Sequence, residues 1–250
     1  MSTQKTNLTR YFLFPSLIVG TLLIAYILQG FFFENTHQWG LFPGTIGGLK
    51  GILFMPLIHG SWGHLLGNIS SLLVLLTAVR YFFPKVFFTT TLVSWILPGV
   101  ITWFIAEPGY HIGASGMVYS LAFFTFFSGI IKINKYLLSL SLLIGFLYGG
   151  LFWGLFPIEE GISWEGHVGG AISGFLLALV FSTIELPNRF EEPDHFEDEV
   201  DSEVIGDAWK LDEKGLPLQK PIEETSQHSS GNSKVIRYIV RPSNSKNIEP

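Results

Sequence analysis

The sequence predicts an all-α membrane protein, in which a bundle of six transmembrane helices precedes a disordered acidic C-terminal tail. Of its 250 residues, 48 % are hydrophobic and only 14 % are charged, whereas about a quarter of the residues of a soluble domain are charged. Six apolar runs reach, or nearly reach, the roughly 20 residues that a helix needs to cross a bilayer. The charges are concentrated behind these runs, with 8 Lys and Arg and 14 Asp and Glu after Glu185.

The runs predict three parts of the chain: an N-terminus (1–10), a six-span domain (11–185) and a tail (186–250). In chain order, we place the spans at 11–33, 63–83, 86–106, 115–131, 136–156 and 167–184. The first span follows Lys5 and Arg10, as the apolar core of a signal peptide would. It is longer than such a core and lacks a clear small-residue cleavage site, so we interpret it as a retained helix.

The basic residues predict the orientation, because Lys and Arg near membrane spans are retained on the cytoplasmic side. One side of the predicted bundle carries Lys5, Arg10, Arg80, Lys85, Lys132, Lys135 and Arg189. The other side has only Lys50. Both termini are therefore predicted to be cytoplasmic, and the connections 34–62, 107–114 and 157–166 are predicted to lie outside.

The first outer connection is long and rich in apolar residues spread among Gly and Pro, such as Trp39, Phe42 and Leu53. A segment of this composition suits the membrane interface, half immersed in lipid. It equally suits a loop that packs on its own protein. The sequence leaves both alternatives open.

The tail begins abruptly, with eight acidic residues between Glu191 and Glu203. A segment of this composition cannot bury enough apolar surface to offset its ordering entropy, so we expect disorder. Within it, residues 234–240 (KVIRYIV) are either a strand that pairs with the sheet of an unknown cytoplasmic partner or a plain linker.

Composition also limits the chemistry. The chain has no Cys, which excludes disulfides, thiol catalysis and cysteine-ligated metal. It lacks a basic footprint for nucleic acid. We expect no metal and no cofactor, and a lipid bilayer as the surroundings.

Polar clusters lie at the predicted outer starts of three spans. His64 and Asn68 are four residues apart in span two and therefore share a helix face. Span four begins with Gly113, Ser115 and Gly116, with Tyr119 one turn after the serine, and span six begins with His167 and Gly170. Spans two, four and six run in the same direction, so the three clusters are predicted to lie at one depth.

These residue types indicate acyl transfer. Ser115 needs a base within hydrogen-bond reach, and His167 is the candidate. No Asp precedes Asp194, so we interpret the pair as a Ser–His dyad on which Tyr119 stacks. Asn68, with His64 and the Ser115 backbone N–H, would stabilise the oxyanion. Glycines repeated every four residues in span six, at Gly166, Gly170 and Gly174, permit close approach to Gly116.

Each cluster also has a purely structural interpretation. Gly and Ser are common where membrane helices touch, so G-x-S-G alone is weak. An interhelical hydrogen bond would by itself explain His64 and Asn68, and a bond to a backbone carbonyl would by itself explain His167. His59 and His111 are predicted to be supporting or exposed. Three clusters at one depth nevertheless favour catalysis.

The motifs His64-x-x-x-Asn68, Gly113-x-Ser115-Gly116 and His167-x-x-Gly170 together resemble the rhomboid family of intramembrane serine proteases, in the order and on the six-helix plan of that family. The resemblance covers about residues 11–185. It implies that Ser115 is the nucleophile, that His167 is the general base, and that His64 and Asn68 surround the oxyanion. The implied substrates are single-span membrane proteins, cut in or next to the span. Many members have a Trp-Arg pair in the first outer loop, whereas here Gly40 follows Trp39.

Two other functions compete with an intramembrane protease. A rhomboid-like pseudoprotease would bind membrane clients without cleaving them, but such a protein has no use for both Ser115 and His167. A transporter would need inward-facing charged residues to couple ions, and apart from the polar clusters we predict no inward Asp, Lys or Arg in the spans. The plain six-span architecture fits a bacterial inner membrane.

Overall fold

The computed structural model describes residues 9–32, 35–158, 161–187 and 190. This part of the chain is helical, and its α-helices are α1 (Thr9–Phe32), α2 (Gly51–Phe54), α3 (Trp62–Phe82), α4 (Phe87–Ile105), α5 (Ser115–Lys132), α6 (Lys135–Tyr148) and α7 (Trp164–Val180). Short 3₁₀ helices occupy Thr36–Trp39, Ile46–Lys50, Met55–Leu57 and Gly149–Leu155. The acidic part of the tail and its KVIRYIV segment lie outside the described residues.

The protein is an integral, multi-pass membrane protein. Among the described residues, five helical segments are long and apolar enough to cross a membrane, and α7 is a shorter apolar helix of 17 residues. The predicted boundaries need two corrections. The fifth predicted span continues beyond α6 as the 3₁₀ helix Gly149–Leu155. The sixth begins three residues earlier than predicted, because Ser163 caps the helix by accepting a hydrogen bond from Gly166 N. It also ends earlier, at Val180 instead of residue 184.

Helix α5 lies at the centre of the bundle and packs against α3, α4, α6 and α7. About 61 % of α5 is buried, whereas the buried share of the other four long spans lies between 17 % and 33 %. Side chains of the remaining helices that point away from α5 are largely apolar and exposed, as lipid requires. Ser115, the first residue of α5, therefore lies at one end of the most enclosed helix.

Helices α5 and α7 approach closely because glycines line their contact. A Cβ atom at Gly170 would collide with Gly116 O, and one at Gly174 would collide with Ser120 O. The prediction of glycine-mediated packing is confirmed at these two positions. Gly166 differs, since a Cβ there would face Ser163 and Thr102 rather than α5.

The connection between α1 and α3 packs on its own protein along one side. Leu41 forms two backbone hydrogen bonds with His111, of 3.0 and 2.9 Å, next to the start of α5. The indole N–H of Trp103 on α4 donates to Thr45 O at 3.0 Å. Gly40 is required here, because a Cβ atom would lie 2.7 Å from His111 O; this explains why a bulky residue does not follow Trp39.

The same connection also presents apolar side chains to its surroundings. Ile46 is 87 % exposed and Leu53 is 53 % exposed. The two alternatives for this segment, packing on its own protein and contact with the membrane interface, therefore each apply to one side of it. One side supports the loop before Ser115, and the other is apolar enough to contact the membrane interface.

Candidate active site

A tight turn places Ser115 at the N-terminus of α5. Gly113 has φ +105°, a conformation that only glycine adopts readily, and its N–H donates to Met55 O at 2.8 Å. A Cβ atom at Gly113 would lie 2.5 Å from the ring of His64. The glycine thus permits both the turn and the close approach of His64 to the serine.

His167 on α7 lies within hydrogen-bond reach of Ser115, at 3.0 Å from Nε2 to Oγ. The other ring nitrogen, Nδ1, lies 2.8 Å from the backbone carbonyl oxygen of Gly154. A carbonyl can only accept, so Nδ1 carries the hydrogen and Nε2 is the acceptor for the serine hydroxyl. This tautomer is the one that a general base requires.

Tyr119, one turn after Ser115 on α5, stacks on one face of the His167 imidazole. The two rings stack with centroids 4.2 Å apart and an interplanar angle of 10°. The phenol hydroxyl donates to Leu151 O at 2.7 Å. Tyr119 and His167 are therefore both anchored to the 3₁₀ helix Gly149–Leu155, whose Gly154 has no room for a Cβ next to the Tyr119 hydroxyl.

His64 and Asn68 on α3 line the same cavity as Ser115 and His167. Asn68 is 6 % exposed, and its Nδ2 lies 3.0 Å from Nε2 of His59. The rings of His59 and His64 meet edge to face at 5.0 Å. The structure thus brings together, at one end of the bundle, the three clusters that the sequence singles out.

The cavity has a volume of about 940 Å³, and it is partly open. Its walls come from α3, α5 and α7, the loop before Ser115, and the segment before α7. Polar groups from all of these elements face it. It is large enough and polar enough to hold water next to Ser115.

Two further contacts tie the loop before Ser115 to the start of α7. Glu165 is 5 % exposed, and its Oε1 accepts a hydrogen bond of 3.4 Å from Glu107 N. His111 Nδ1 lies 2.6 Å from the hydroxyl of Ser163. The Glu165 carboxylate therefore bonds to the loop before Ser115. His111 is a supporting residue rather than a member of the Ser115–His167 pair.

Two features of the site were not predicted from the sequence: one backbone group and one side-chain contact. The Gly154 carbonyl orients His167, where an Asp would do so in a triad, and a backbone carbonyl has no signature in the sequence. The contact between His59 and Asn68 was also missed. A signal existed for it, since His59 precedes Asn68 by nine residues in a segment that already carries His64.

Comparison with known proteins gives a match to one family. Residues 47–184, more than half of the chain, match the rhomboid domain. The chain belongs to the rhomboid family. All three rhomboid motifs that the sequence analysis identified, and the Gly154 carbonyl, lie within the matched region.

Relatives occur in mycobacteria, where they are uncharacterized proteins. One from Mycobacterium tuberculosis and one from Mycobacterium bovis are each 30 % identical over 205 residues, covering 75 % of this rhomboid and 83 % of the relative. A Mycobacterium leprae protein is 35 % identical over 151 residues, covering 56 % of this chain and 59 % of the relative.

Proposed function

We propose that this rhomboid-family protein is an intramembrane serine endopeptidase that uses a Ser–His dyad. Its substrates are single-span membrane proteins, cut in or next to the transmembrane segment. One observation carries the proposal: the 3.0 Å contact from Ser115 Oγ to His167 Nε2, with His167 Nδ1 on the Gly154 carbonyl. Nucleophile, base and orienting group are then in the order that acyl transfer requires.

Acylation begins when Ser115 Oγ attacks the carbonyl carbon of the scissile bond while its proton passes to His167 Nε2. The Gly154 carbonyl stabilises the imidazolium that forms, because it already accepts the Nδ1 hydrogen. The electron pair of the broken π bond moves to the substrate oxygen. Nε2 then returns the proton to the leaving nitrogen as the C–N bond breaks, which leaves an ester on Ser115.

Deacylation uses water from the cavity. Nε2 accepts a proton from that water, the resulting hydroxide attacks the ester carbon, and Ser115 leaves with the proton from His167. The oxyanion in both steps is held by backbone N–H groups at the start of α5, which lack partners within the helix, and by the Asn68 amide. His64, which lies against Gly113, completes this side of the cavity.

The alternative is a pseudoprotease that binds membrane clients without cleaving them. The cavity and the exposed apolar surface suit a binding protein equally well. The hydrogen bond between Ser115 and His167, and the stacking of Tyr119 on the imidazole, favour the enzyme, because binding alone makes no use of an oriented base.

Cleavage of a single-span reporter by the purified protein in proteoliposomes tests the proposal. We expect cleavage in or beside the reporter's span, and covalent labelling of Ser115 by a serine-reactive phosphonate. A folded protein that binds the reporter but neither cuts it nor takes up the label would support the pseudoprotease instead.

Replacing Asn68 with Ala is expected to lower kcat by about 10²–10³, the usual cost of one oxyanion donor. The value of KM should change little, because the interaction forms mainly in the transition state. Initial rates over a range of reporter concentrations in the bilayer check this. A large rise in KM with an unchanged kcat would instead assign Asn68 to substrate binding.

Cleavage is expected to fall as the pH drops through the pKa of His167, by about tenfold per pH unit below it. The reason is that protonated Nε2 cannot accept the serine proton. A pH profile of kcat/KM measured under constant ionic strength checks this. A flat profile between pH 5 and pH 8 would contradict His167 as the base of a rate-limiting chemical step.

A further inference from the structure

Helix α1 carries a polar side chain near the end that lies close to the active site. Gln29 is only partly buried in a helix that is otherwise apolar there, and a side-chain amide in lipid is costly unless it is hydrogen-bonded. Its Nε2 donates to His59 O at 2.8 Å, and its Oε1 accepts from His59 N at 3.3 Å. Both ends of the amide therefore hold the backbone of one residue.

His59 needs such support because its backbone is not helical. It lies between the 3₁₀ helix Met55–Leu57 and the first residue of α3, Trp62, and the preceding Ile58 is extended, with φ −99° and ψ 129°. Backbone groups in such a stretch lack helical partners and must be satisfied otherwise. Gln29 bonds to both the backbone N–H and the backbone C=O of His59. It thereby fixes the position of the backbone from which the His59 ring extends.

The ring of His59 is fully buried and faces Asn68. An amide nitrogen can only donate, so the 3.0 Å contact makes His59 Nε2 the acceptor of one Asn68 Nδ2 hydrogen. The second hydrogen of the same nitrogen is left for the cavity that Asn68 lines. With the amide reversed, its oxygen would face the developing oxyanion and repel it.

We propose that Gln29 and His59 are positioning residues that hold the Asn68 amide with its nitrogen toward the oxyanion. Gln29 fixes the backbone of His59, His59 accepts one hydrogen from Asn68, and Asn68 offers the other to the substrate oxygen. Helix α1 thus contributes to catalysis without contacting substrate. The inference rests on the proposed peptidase function and on the oxyanion role of Asn68.

The surroundings of His59 support an acceptor that stays neutral. Burial and, to a smaller extent, the neighbouring His64 lower the pKa of His59 to about 4, although the backbone of Leu57 partly opposes the shift. The edge-to-face contacts with His64 and with Tyr26, whose centroid lies at 6.5 Å, hold the ring in place. The His59 imidazole is therefore neutral near pH 7, the form in which Nε2 can accept a hydrogen bond.

A double-mutant cycle tests the proposal in the full-length protein in proteoliposomes. His59→Phe keeps a ring but removes the acceptor, and we expect kcat to fall by about 10- to 100-fold with KM within about twofold, since residues in contact couple by such amounts. In an Asn68→Ala background the same substitution should have almost no effect, because its target is gone. His59→Gln, which restores an acceptor oxygen, should recover part of the rate.

Gln29→Met provides the second arm, because it keeps the length of the side chain and removes both hydrogen bonds. We expect a smaller fall in kcat, about 3- to 10-fold, that again vanishes in the Asn68→Ala background. Thr21→Val is the matched control, since Thr21 lies on the same helix, is exposed, and bonds only to Leu17 O among the contacts described. Its rate should equal that of the wild type.

Equal losses in the wild-type and Asn68→Ala backgrounds would overturn the proposal. The proposal would also be overturned if kcat and the melting temperature fell together in both backgrounds. That result would assign Gln29 and His59 to folding alone. Failure of the peptidase function gives a different result, in which Ser115→Ala leaves cleavage unchanged.

Discussion

Replacing Ser115 with Ala is expected to lower kcat for reporter cleavage by about 10⁶, the loss seen when the nucleophile of a serine protease is removed. Without Oγ, His167 has no hydroxyl to deprotonate, and only the oxyanion donors remain. His167→Ala should cost nearly as much, and the double substitution no more, because the two residues act as one unit. Cleavage of the same single-span reporter in proteoliposomes, with matched protein amounts, measures these losses.

Correct folding of both variants must be shown alongside the rates. Ser115 and Ala differ by one hydroxyl, so the melting temperature should stay close to that of the wild type. Cleavage that persists in folded Ser115→Ala would remove the serine from the mechanism and end the peptidase proposal.

Replacing Gly170 with Val is expected to have the largest effect on the bundle itself. A Cβ atom there would collide with Gly116 O and would lie 2.7 Å from the Cβ of Tyr119. Because the obstacle includes backbone, α7 must move away from α5. We expect a loss of about 1–3 kcal/mol in stability from overpacking, and at least about 10²-fold in kcat, since a shift of about 1 Å separates His167 from Ser115.

Gly20→Val is the matched control for this substitution. Gly20 also lies within a membrane helix, but nothing lies within 4 Å of the position of its Cβ. Thermal unfolding and reporter cleavage should therefore be close to wild type for Gly20→Val and strongly reduced for Gly170→Val. Equal behaviour of the two variants would show that the glycine contact does not hold α5 and α7 together.

Much of the fold followed from local composition. A helix in lipid must satisfy its own backbone and present apolar side chains, so long apolar runs predict spans directly, and α5 begins at the predicted Ser115. The end of the fifth span was less predictable. The chain from Gly149 is as apolar as α6, yet it forms a 3₁₀ helix, which Tyr119 and His167 contact through its carbonyls.

The sequence by itself determined which chemical groups the site contains: Ser115, His167, His64 and Asn68, at one end of spans that run in the same direction. Only the tertiary structure decided how those groups are oriented. The tautomer of His167 depends on the Gly154 carbonyl, and the orientation of the Asn68 amide depends on His59 and, through it, on Gln29 of α1. The physical reason is that hydrogen-bond partners from distant parts of the chain, several of them backbone atoms that every residue carries, leave no pattern in the order of the side chains.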